Sequence, residues 1–341
     1  MPLGDGGEGT AAAITAACGG KMHKVTVHGP LFTPVEAGWG ELPDGSAVFE
    51  MASASGIELI SRSERDPMRT TTYGTGELLK YLVREKNIRR IFIGIGGSAT
   101  VDGGIGMLQA LGVKFCDPAQ NPIPVPASGY DIAGVSSICM DDLIPEIREC
   151  SISVASDVTN PLCGENGAAN VFAPQKGADA GMVERLEKNL FRFGTCAVSA
   201  GIAEDFSQPG DGAAGGLGFA LRTFLNAQSR SGAEMVLELL RFDDAVRNAD
   251  LIITGEGRSD FQTLHGKLCK VVSDHARKAN IPVFLLSGAL GKGAEELEPF
   301  FDGIFSLSSG NISLDKAIAE TPKNLAGMAK TLLAPAKVHN R

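Results

Sequence analysis

The chain has 341 residues, a formal net charge of −9 and 43% hydrophobic residues. This length lies near the upper limit for one hydrophobic core, so two domains are expected. The negative charge argues against nucleic acid or an anionic membrane as the main partner. No run of about 18 consecutive apolar residues occurs, which argues against a membrane-spanning helix.

The seven cysteines are scattered and form no Cys-x-x-Cys pair. A chain of this size does not need disulfide bonds, so reduced thiols are expected and a zinc site is not. The opening Met1-Pro2-Leu3 leads into a glycine cluster, which does not fit a secretory signal peptide. We therefore expect a cytoplasmic protein.

The first predicted elements form an antiparallel meander between residues 23 and 60. Its segments alternate apolar and polar residues, and Pro43-Asp44-Gly45 predicts a turn within it. Short apolar strands and helices with charged faces follow. In chain order these are helix 77–86, strand 91–95, strand 151–155, helix 182–193, strand 251–254, helix 261–279, strand 283–286 and strand 303–307.

This order of elements predicts an α/β protein with two interleaved α/β domains. A Rossmann-like domain with a parallel sheet would combine residues 1–22, 61–130 and 231–341. The second domain, from residues 23–60 and 131–230, would be mixed and contain the antiparallel meander. Ligands of doubly wound sheets bind beyond the carboxyl ends of the strands, so motifs that follow strands are candidates for a site.

Five clusters that contain glycine, acidic residues or both punctuate the chain. Glycine turns let backbone N–H groups approach an anion, and neighbouring carboxylates can hold Mg²⁺ or accept a hydroxyl proton. Together the clusters predict phosphoryl transfer to a small molecule. They comprise residues 4–10, 94–104, 155–162, 209–216 and 254–260.

The second cluster admits three interpretations. Its pattern Gly94-x-Gly96-x-x-Ala99 fits a dinucleotide-binding turn, and Asp117 follows a second strand-like run (113–116) at a suitable distance. An NAD-dependent oxidoreductase is therefore an alternative. The glycines continue to Gly104, where a helix should already be regular, which favours a phosphate or substrate loop. A structural turn is the third interpretation.

Acidic candidates come from three other clusters. Asp157 follows strand 151–155 and is either a functional carboxylate or part of an Asx turn. Asp211, between glycines, resembles an anion-binding helix start or an N-cap. Asp5 and Glu8 have a setting unusual for a disordered terminus, although a flexible start is the alternative.

The fifth cluster places Arg258 between Glu256 and Asp260 after strand 251–254. This arrangement suits recognition of a Mg²⁺-nucleotide or a substrate hydroxyl, and a capping aspartate beside a solvated arginine is the alternative. Lys267 could meet a phosphate as a point charge. No Walker A motif is present, and the protein kinase motifs are absent as well.

Several of these motifs, in this order, resemble the type 1 glycerate kinase family, in its bacterial glycerate 2-kinase branch. The resemblance runs from Leu3 to the last helix. It is carried by Asp5-Gly6-Gly7-Glu8-Gly9-Thr10, by residues 94–104, by Ser156-Asp157-Val158-Thr159-Asn160-Pro161-Leu162, by Pro174-Gln175-Lys176-Gly177-Ala178 and by Thr254-Gly255-Glu256-Gly257-Arg258-Ser259-Asp260.

The resemblance implies an ATP- and Mg²⁺-dependent kinase that phosphorylates D-glycerate in small organic acid catabolism, with 2-phosphoglycerate the favoured product. It also implies two α/β domains with a substrate cleft between them. The expected partners are glycerate and the nucleotide, with no nucleic acid or membrane, and a homodimer is left open.

In this interpretation the catalytic candidates are Asp157, Asp5 and Asp211, with Asp157 activating the hydroxyl or anchoring the substrate. Asp5 and Asp157 are the Mg²⁺ candidates. Further residues are expected to bind substrate or phosphate: Glu8, Gly96, Gly97, Ser98, Asp102, Asn160, Gly212, Glu256, Arg258, Asp260 and Lys267.

One difference from the family pattern concerns the segment before the Asp5–Thr10 motif. Family members usually carry a strand and a Pro-Asp-Ser-Phe-Lys-type segment there, and this sequence shows neither. The second functional alternative, a catalytically silent ligand-binding homologue, rests on this difference.

Overall fold

The computed structural model describes residues 9–264, 268–308 and 313–333. The contacts that residues make in space divide the chain into two compact units, Met1–Val236 (unit 1) and Leu237–Arg341 (unit 2). Helices and strands are mixed in both units, and the strands pair in parallel as well as antiparallel. The α/β fold class is thus confirmed.

Unit 1 is built on a six-stranded mixed sheet with the order β1-β2-β3-β4-β7-β8. Two further strands, β5 and β6, form a separate small sheet. The bounds are β1 (Lys21–His28), β2 (Pro34–Glu41), β3 (Ala47–Glu50), β4 (Arg90–Gly94), β5 (Lys114–Cys116), β6 (Ser137–Cys139), β7 (Ser151–Ala155) and β8 (Gln228–Arg230).

The first half of the large sheet is the predicted meander. β1 pairs with β2 in antiparallel register from Lys21 opposite Glu41 to His28 opposite Pro34. β2 then pairs antiparallel with β3, and the intervening turn has Gly45 in the left-handed region at φ 79°. Glycine tolerates a left-handed backbone best, and this turn could therefore be predicted from the sequence.

The second half of the sheet is parallel. β3 pairs with β4, β4 with β7, and β7 with β8. Ile91, Phe92 and Ile93 of β4 are each at most 1% exposed, as expected of a parallel strand covered on both faces. The strands predicted near 91–95 and at 151–155 are confirmed.

Eight helices occur in residues 10–239. They are α1 (Thr10–Ala17), α2 (Ala52–Ser55), α3 (Tyr73–Arg84), α4 (Ile105–Ala110), α5 (Ala168–Phe172), α6 (Ala180–Ser199), α7 (Ala213–Leu225) and α8 (Gly232–Leu239). The predicted helices 77–86 and 182–193 correspond to α3 and α6. α6 begins where the Asp179 side chain accepts a hydrogen bond from Met182 N (2.8 Å), which satisfies an end group of the helix.

The core of unit 1 lies between the sheet and these helices. α3 contributes Leu78, Leu79 and Leu82, all fully buried, and α6 contributes Phe193. The burial of one such side chain stabilises the fold by roughly 1.5–3 kcal/mol. The amphipathic spacing on α3 and α6 therefore decides which face of each helix packs into the core.

The strand-like run 113–116 does not join the parallel sheet. It forms β5, which pairs antiparallel with β6. Asp117, at its end, accepts hydrogen bonds from the backbone N–H groups of Ala119 and Asn121 in a tight turn. A dinucleotide-binding βαβ unit needs two parallel strands in one sheet, and this segment does not provide the second one.

Unit 2 contains a three-stranded parallel sheet with the order β11-β10-β9. Its elements within the described ranges are α9 (Phe242–Val246), β9 (Ile252–Ser259), α10 (Leu268–Lys278), β10 (Val283–Leu290), β11 (Gly303–Ser306) and α11 (Leu314–Leu333). The strands predicted at 251–254, 283–286 and 303–307 are confirmed. In the predicted helix 261–279, a 3₁₀ turn at Phe261–Leu264 precedes α10.

The division into units differs from the interleaved domains predicted from the sequence. Residues 47–50 and 90–94, which were assigned to different domains, are neighbouring strands of one sheet. β7 adds residues 151–155 to the same sheet. The sequence pattern identified the strands, but their pairing depends on contacts between distant segments.

No helix in the described ranges combines the length and the apolar character needed to cross a membrane.

Candidate active site

The carboxyl ends of three parallel strands align at one edge of the sheet in unit 1. Glu50 of β3 is opposite Gly94 of β4, and Gly94 is opposite Ala155 of β7. The residues that follow these strand ends therefore lie at the same edge. Ligands of parallel α/β sheets bind at such an edge.

The loop after β4 presents backbone donors at this edge. Gly96 and Gly97 are exposed, and Gly97 has φ 72°. In the described part of the chain, no acceptor receives the N–H groups of Gly96, Gly97 or Ser98. The opposite side of the loop is anchored, because Gly97 O accepts from Ile57 N (2.9 Å). We call residues 96–98 the amide cradle, since its free N–H groups suit an anion.

Asp102 lies behind the amide cradle and is fully buried. Its carboxylate accepts hydrogen bonds from the N–H (2.8 Å) and hydroxyl (2.7 Å) of Thr72 and from the N–H groups of Gly104 and Gly106. Burial raises the pKa of Asp102, and these hydrogen bonds oppose the shift. The geometry gives this predicted binding residue the role of an anchor for its own loop.

Lys176 contacts the same loop and is only 2% exposed. Its ammonium donates to Ser98 Oγ (2.7 Å) and to Thr100 O (2.6 Å). Burial lowers the pKa of Lys176 to about 7, and the charge of Asp102 acts in the opposite direction. Lys176 belongs to the motif at residues 174–178 but was not among the predicted site residues, because no periodicity indicates that a lysine will be buried.

Asp157 lies two residues beyond β7 and is exposed. Its Oδ1 accepts a hydrogen bond from Gly232 N at 3.1 Å. Asn160, in the same loop, donates from Nδ2 to Asn166 O (2.8 Å), and its carbonyl accepts from Gly212 N (2.9 Å). The loop therefore carries an accessible carboxylate on a hydrogen-bonded backbone.

The start of α7 contains a left-handed turn that packs against the loops after β4 and β7. Gly103 N donates to Gly215 O (3.0 Å), and a Cβ added at Gly215 would lie 2.0 Å from Thr100 O. Ala214, Gly215 and Gly216 have φ values of 52°, 69° and 93°, all left-handed. This turn brings three of the five clusters (94–104, 155–162 and 209–216) together at one edge. Gly215 is required because the backbone of Thr100 approaches it closely.

Asp211 lies within this assembly and is only 1% exposed. Its carboxylate receives Arg222 Nε (2.7 Å), Arg222 Nη2 (2.8 Å) and the N–H of Gln208 (3.0 Å). The carboxylate raises the pKa of Arg222. Both oxygens of this catalytic candidate are thus engaged within the protein, in an ion pair that holds α7 to its preceding turn.

The described part of the first cluster also reaches the edge. Gly9 has φ 86° and precedes α1, and Ala11 N donates to Glu50 Oε1 (2.9 Å). Because Glu50 is the last residue of β3, the start of α1 lies beside the strand ends. The predicted residues Asp5 and Glu8 lie outside the described residues.

The fifth cluster belongs to unit 2. Glu256 Oε1 accepts from the hydroxyls of Ser259 (2.8 Å) and Thr263 (2.7 Å), and exposed Arg258 lies 3.7 Å from Asp260. Glu256 and Arg258 line a cavity of about 850 Å³ in this unit. Lys267 lies outside the described residues.

Carboxylates that could bind a metal are dispersed in the described ranges. Within them, no group of three or more His, Cys, Asp or Glu side chains is placed to hold a metal ion. Mg²⁺, however, is usually bound by one or two carboxylates together with substrate phosphates. The exposed carboxylate of Asp157 beside the amide cradle fits this requirement.

Comparison with known proteins identifies the family. A family model described as the glycerate kinase family matches residues 1–337. The chain belongs to the glycerate kinase family. The glycerate 2-kinase of Escherichia coli K12 is 41% identical over 336 residues, which cover 98% of this chain and 87% of that protein. The glycerate kinase of Bacillus subtilis 168 is 40% identical, with 99% and 88% covered.

A solved structure agrees with this assignment. The crystal structure of a protein assigned as glycerate kinase 2 in Salmonella typhimurium LT2 superposes with a TM-score of 0.88 at 41% identity, and it covers 99% of this chain and 88% of that one. The prediction of an enzyme of the glycerate kinase family is confirmed. The kinase family also implies a nucleotide substrate.

The oxidoreductase alternative does not fit the local geometry. After the first glycine of the loop, the regular helix α4 begins only at Ile105. In a dinucleotide-binding turn the glycines open the helix directly, so that its N-terminus faces the pyrophosphate. The next strand, β5, also lies outside the parallel sheet.

Proposed function

We propose that the chain transfers the γ-phosphoryl group of ATP to a hydroxyl of D-glycerate, with 2-phosphoglycerate as the product. The observation that carries this proposal is the alignment of the amide cradle with Asp157 beyond adjacent strand ends. The cradle suits an anionic group, and the neighbouring carboxylate suits a hydroxyl. The name glycerate 2-kinase, carried by the Escherichia coli relative, favours the 2-hydroxyl.

In this mechanism the amide cradle binds the carboxylate or the transferred phosphoryl group through N–H donors. Asp157 accepts the proton as the glycerate hydroxyl attacks the γ-phosphorus, the bond to the bridging oxygen breaks and ADP leaves. Positioning and charge neutralisation supply most of the rate in such reactions. The exposure of Asp157 leaves its carboxylate accessible for this role.

Mg²⁺ would be held by Asp157 together with Asp5, and it would neutralise charge on the phosphates. Asn160 and Gly212 hold the loop that carries Asp157, through the bond from Gly212 N to Asn160 O. We keep Glu8, Glu256, Arg258, Asp260 and Lys267 as candidates for nucleotide or phosphate contacts. A role in small organic acid catabolism, a cytoplasmic location and a homodimeric assembly complete the proposal.

The test is to incubate the full chain with D-glycerate and Mg-ATP, to measure ADP release and to identify the phosphoglycerate by NMR. We expect 2-phosphoglycerate. Formation of 3-phosphoglycerate would overturn the regiochemistry alone. Absence of turnover with D-glycerate under conditions where the chain is folded would overturn the proposed reaction.

A further inference from the structure

The amide cradle lies directly above a buried cation, and the mechanism above makes no use of it. The Lys176 ammonium is within hydrogen-bond distance of Ser98 Oγ (2.7 Å), in the third residue of the cradle. Its second described bond, to Thr100 O (2.6 Å), fixes the other side of the same loop. One side chain from a distant segment thus contacts the loop twice.

The backbone around Lys176 fixes the position of this ammonium. Lys176 ends a 3₁₀ turn that begins at Pro174, and Gly177 follows with φ 99°. A Cβ added at Gly177 would lie 2.2 Å from Arg65 O, so only glycine fits this reversal. Asp179 then caps α6. The lysine therefore projects from a turn held by packing on both sides.

The contact also orients the Ser98 hydroxyl. Because Ser98 Oγ accepts a hydrogen bond from the ammonium, its own O–H is left to donate in another direction. In the described residues, no acceptor takes that O–H. The hydroxyl can thus join the three N–H groups as a fourth donor to an anion.

The Lys176 ammonium is directed at the cradle loop, and the charged groups near it already have partners. Asp102 is the charged group that acts on Lys176, and its carboxylate is already engaged by Thr72, Gly104 and Gly106. On the neighbouring segments, Arg65 lies 3.7 Å from Glu58. A buried cation attracts an anion more strongly than an exposed one, because the dielectric screening is weaker.

We propose that Lys176 is a positioning residue of the kinase site: its ammonium holds Ser98 and Thr100 so that the amide cradle binds the carboxylate of the substrate. This inference rests on the proposed function for the identity of that substrate. Lys176 does not touch the substrate itself; it acts through Ser98 and through its charge.

The experiment compares wild type with Lys176→Met, Lys176→Arg and the matched control Lys188→Met. Lys188 is also in unit 1, but its side chain is 67% exposed and pairs with Glu184 on the surface of α6. Lys176→Met should raise the KM for D-glycerate at pH 6.5 by at least about ten-fold and change kcat less, because it weakens ground-state and transition-state binding together. Lys176→Arg should recover part of the loss, and Lys188→Met should match wild type.

The pH dependence of the KM for D-glycerate distinguishes a positioning role of Lys176 from a purely structural one. Since the pKa of Lys176 is lowered to about 7, the ammonium loses its proton as the pH rises from 6 to 8.5. The KM for D-glycerate should therefore increase over this range in wild type and stay flat in Lys176→Met. Equal profiles, or a KM for Lys176→Met within about two-fold of wild type, would overturn the inference.

Binding without turnover separates this inference from the proposed reaction. D-glycerate alone, or sulfate, should raise the melting temperature of wild type, and this shift should be lost in Lys176→Met. If wild type binds D-glycerate but does not phosphorylate it, only the proposed reaction is contradicted. A wild type stabilised by neither anion overturns the cradle assignment. If Lys176→Met does not fold, Ser98→Ala is tested in its place. Unchanged binding of D-glycerate by Ser98→Ala would then overturn the inference.

Discussion

Asp157 combines exposure with a position at the edge where three parallel strands end. We expect Asp157→Asn to lower kcat by at least about 100-fold, because an amide cannot accept the hydroxyl proton. The unfolding free energy should change by less than about 0.5 kcal/mol, since the amide oxygen can still accept from Gly232 N. Steady-state kinetics and thermal unfolding check both values.

The matched control for Asp157 is Asp141→Asn, which removes another exposed carboxylate of unit 1. This variant should keep the kinetics of wild type. Near-wild-type turnover in Asp157→Asn would remove Asp157 from the mechanism and leave the amide cradle as the defining part of the site.

Asp211 is expected to act on stability more than on catalysis. Asp211→Asn leaves Arg222 without its ionised partner, and we expect a loss of roughly 1–3 kcal/mol of unfolding free energy. Urea denaturation measures this loss. Asp205→Asn is the control, because its 3.9 Å contact with Arg222 is exposed and should contribute less than about 1 kcal/mol. A larger effect of Asp211→Asn on kcat than on stability would restore it as a catalytic residue.

At the scale of elements, the left-handed turn at the start of α7 decides how the loops meet. Gly215→Ala should destabilise unit 1 by several kcal/mol, on the order of a buried steric clash, because the new Cβ would lie 2.0 Å from Thr100 O. Movement of Thr100 would also disturb the amide cradle, so turnover should fall. Circular dichroism on heating and the kinase assay report the two effects.

Gly201→Ala provides a control with the same backbone conformation. Gly201 has φ 70°, close to the 69° of Gly215, but nothing lies within 4 Å of an added Cβ. The cost should therefore be only the left-handed strain, about 1–2 kcal/mol, without loss of turnover. Equal destabilisation by both substitutions would show that the conformation, and not the close approach, requires glycine at position 215.

At the scale of the whole molecule, the buried lysine links stability to pH. The pKa of Lys176 is about 7 in the folded chain, against 10.5 for an unperturbed lysine. Between these values the unfolded chain binds more protons than the folded one, so the unfolding free energy rises with pH. The penalty of the buried charge is complete below pH 7 and is relieved toward pH 10.5.

Lys176→Met removes this dependence, and the expected difference between the two proteins is on the order of a few kcal/mol across the window. The variant should be at least as stable as wild type at pH 6.5, because an apolar side chain replaces a buried charge. Denaturant titrations at pH 6.5, 8 and 9.5 provide the comparison. A difference that does not change with pH would show that Lys176 keeps its proton in the folded chain.

The amino-acid sequence by itself determined the α/β class, the strands that follow hydrophobic runs and the family. An apolar run such as residues 91–95 indicates a strand that is buried on both faces of a sheet. A long motif such as residues 94–104 is specific enough to indicate a family. Asp157 was selected because a strand end is a local signal. These properties depend on residues that are close together in the chain.

Only the tertiary structure decided which segments share a sheet and which charged groups are buried. β3 and β4, which the sequence pattern placed in different domains, share one sheet, because strand pairing depends on long-range contacts. The burial of Asp102 and Asp211 and their hydrogen bonds with Thr72 and Arg222 also depend on residues that are distant in the chain. Lys176 was missed for the same reason: its burial and its contacts are made by a loop 76 and 78 residues away.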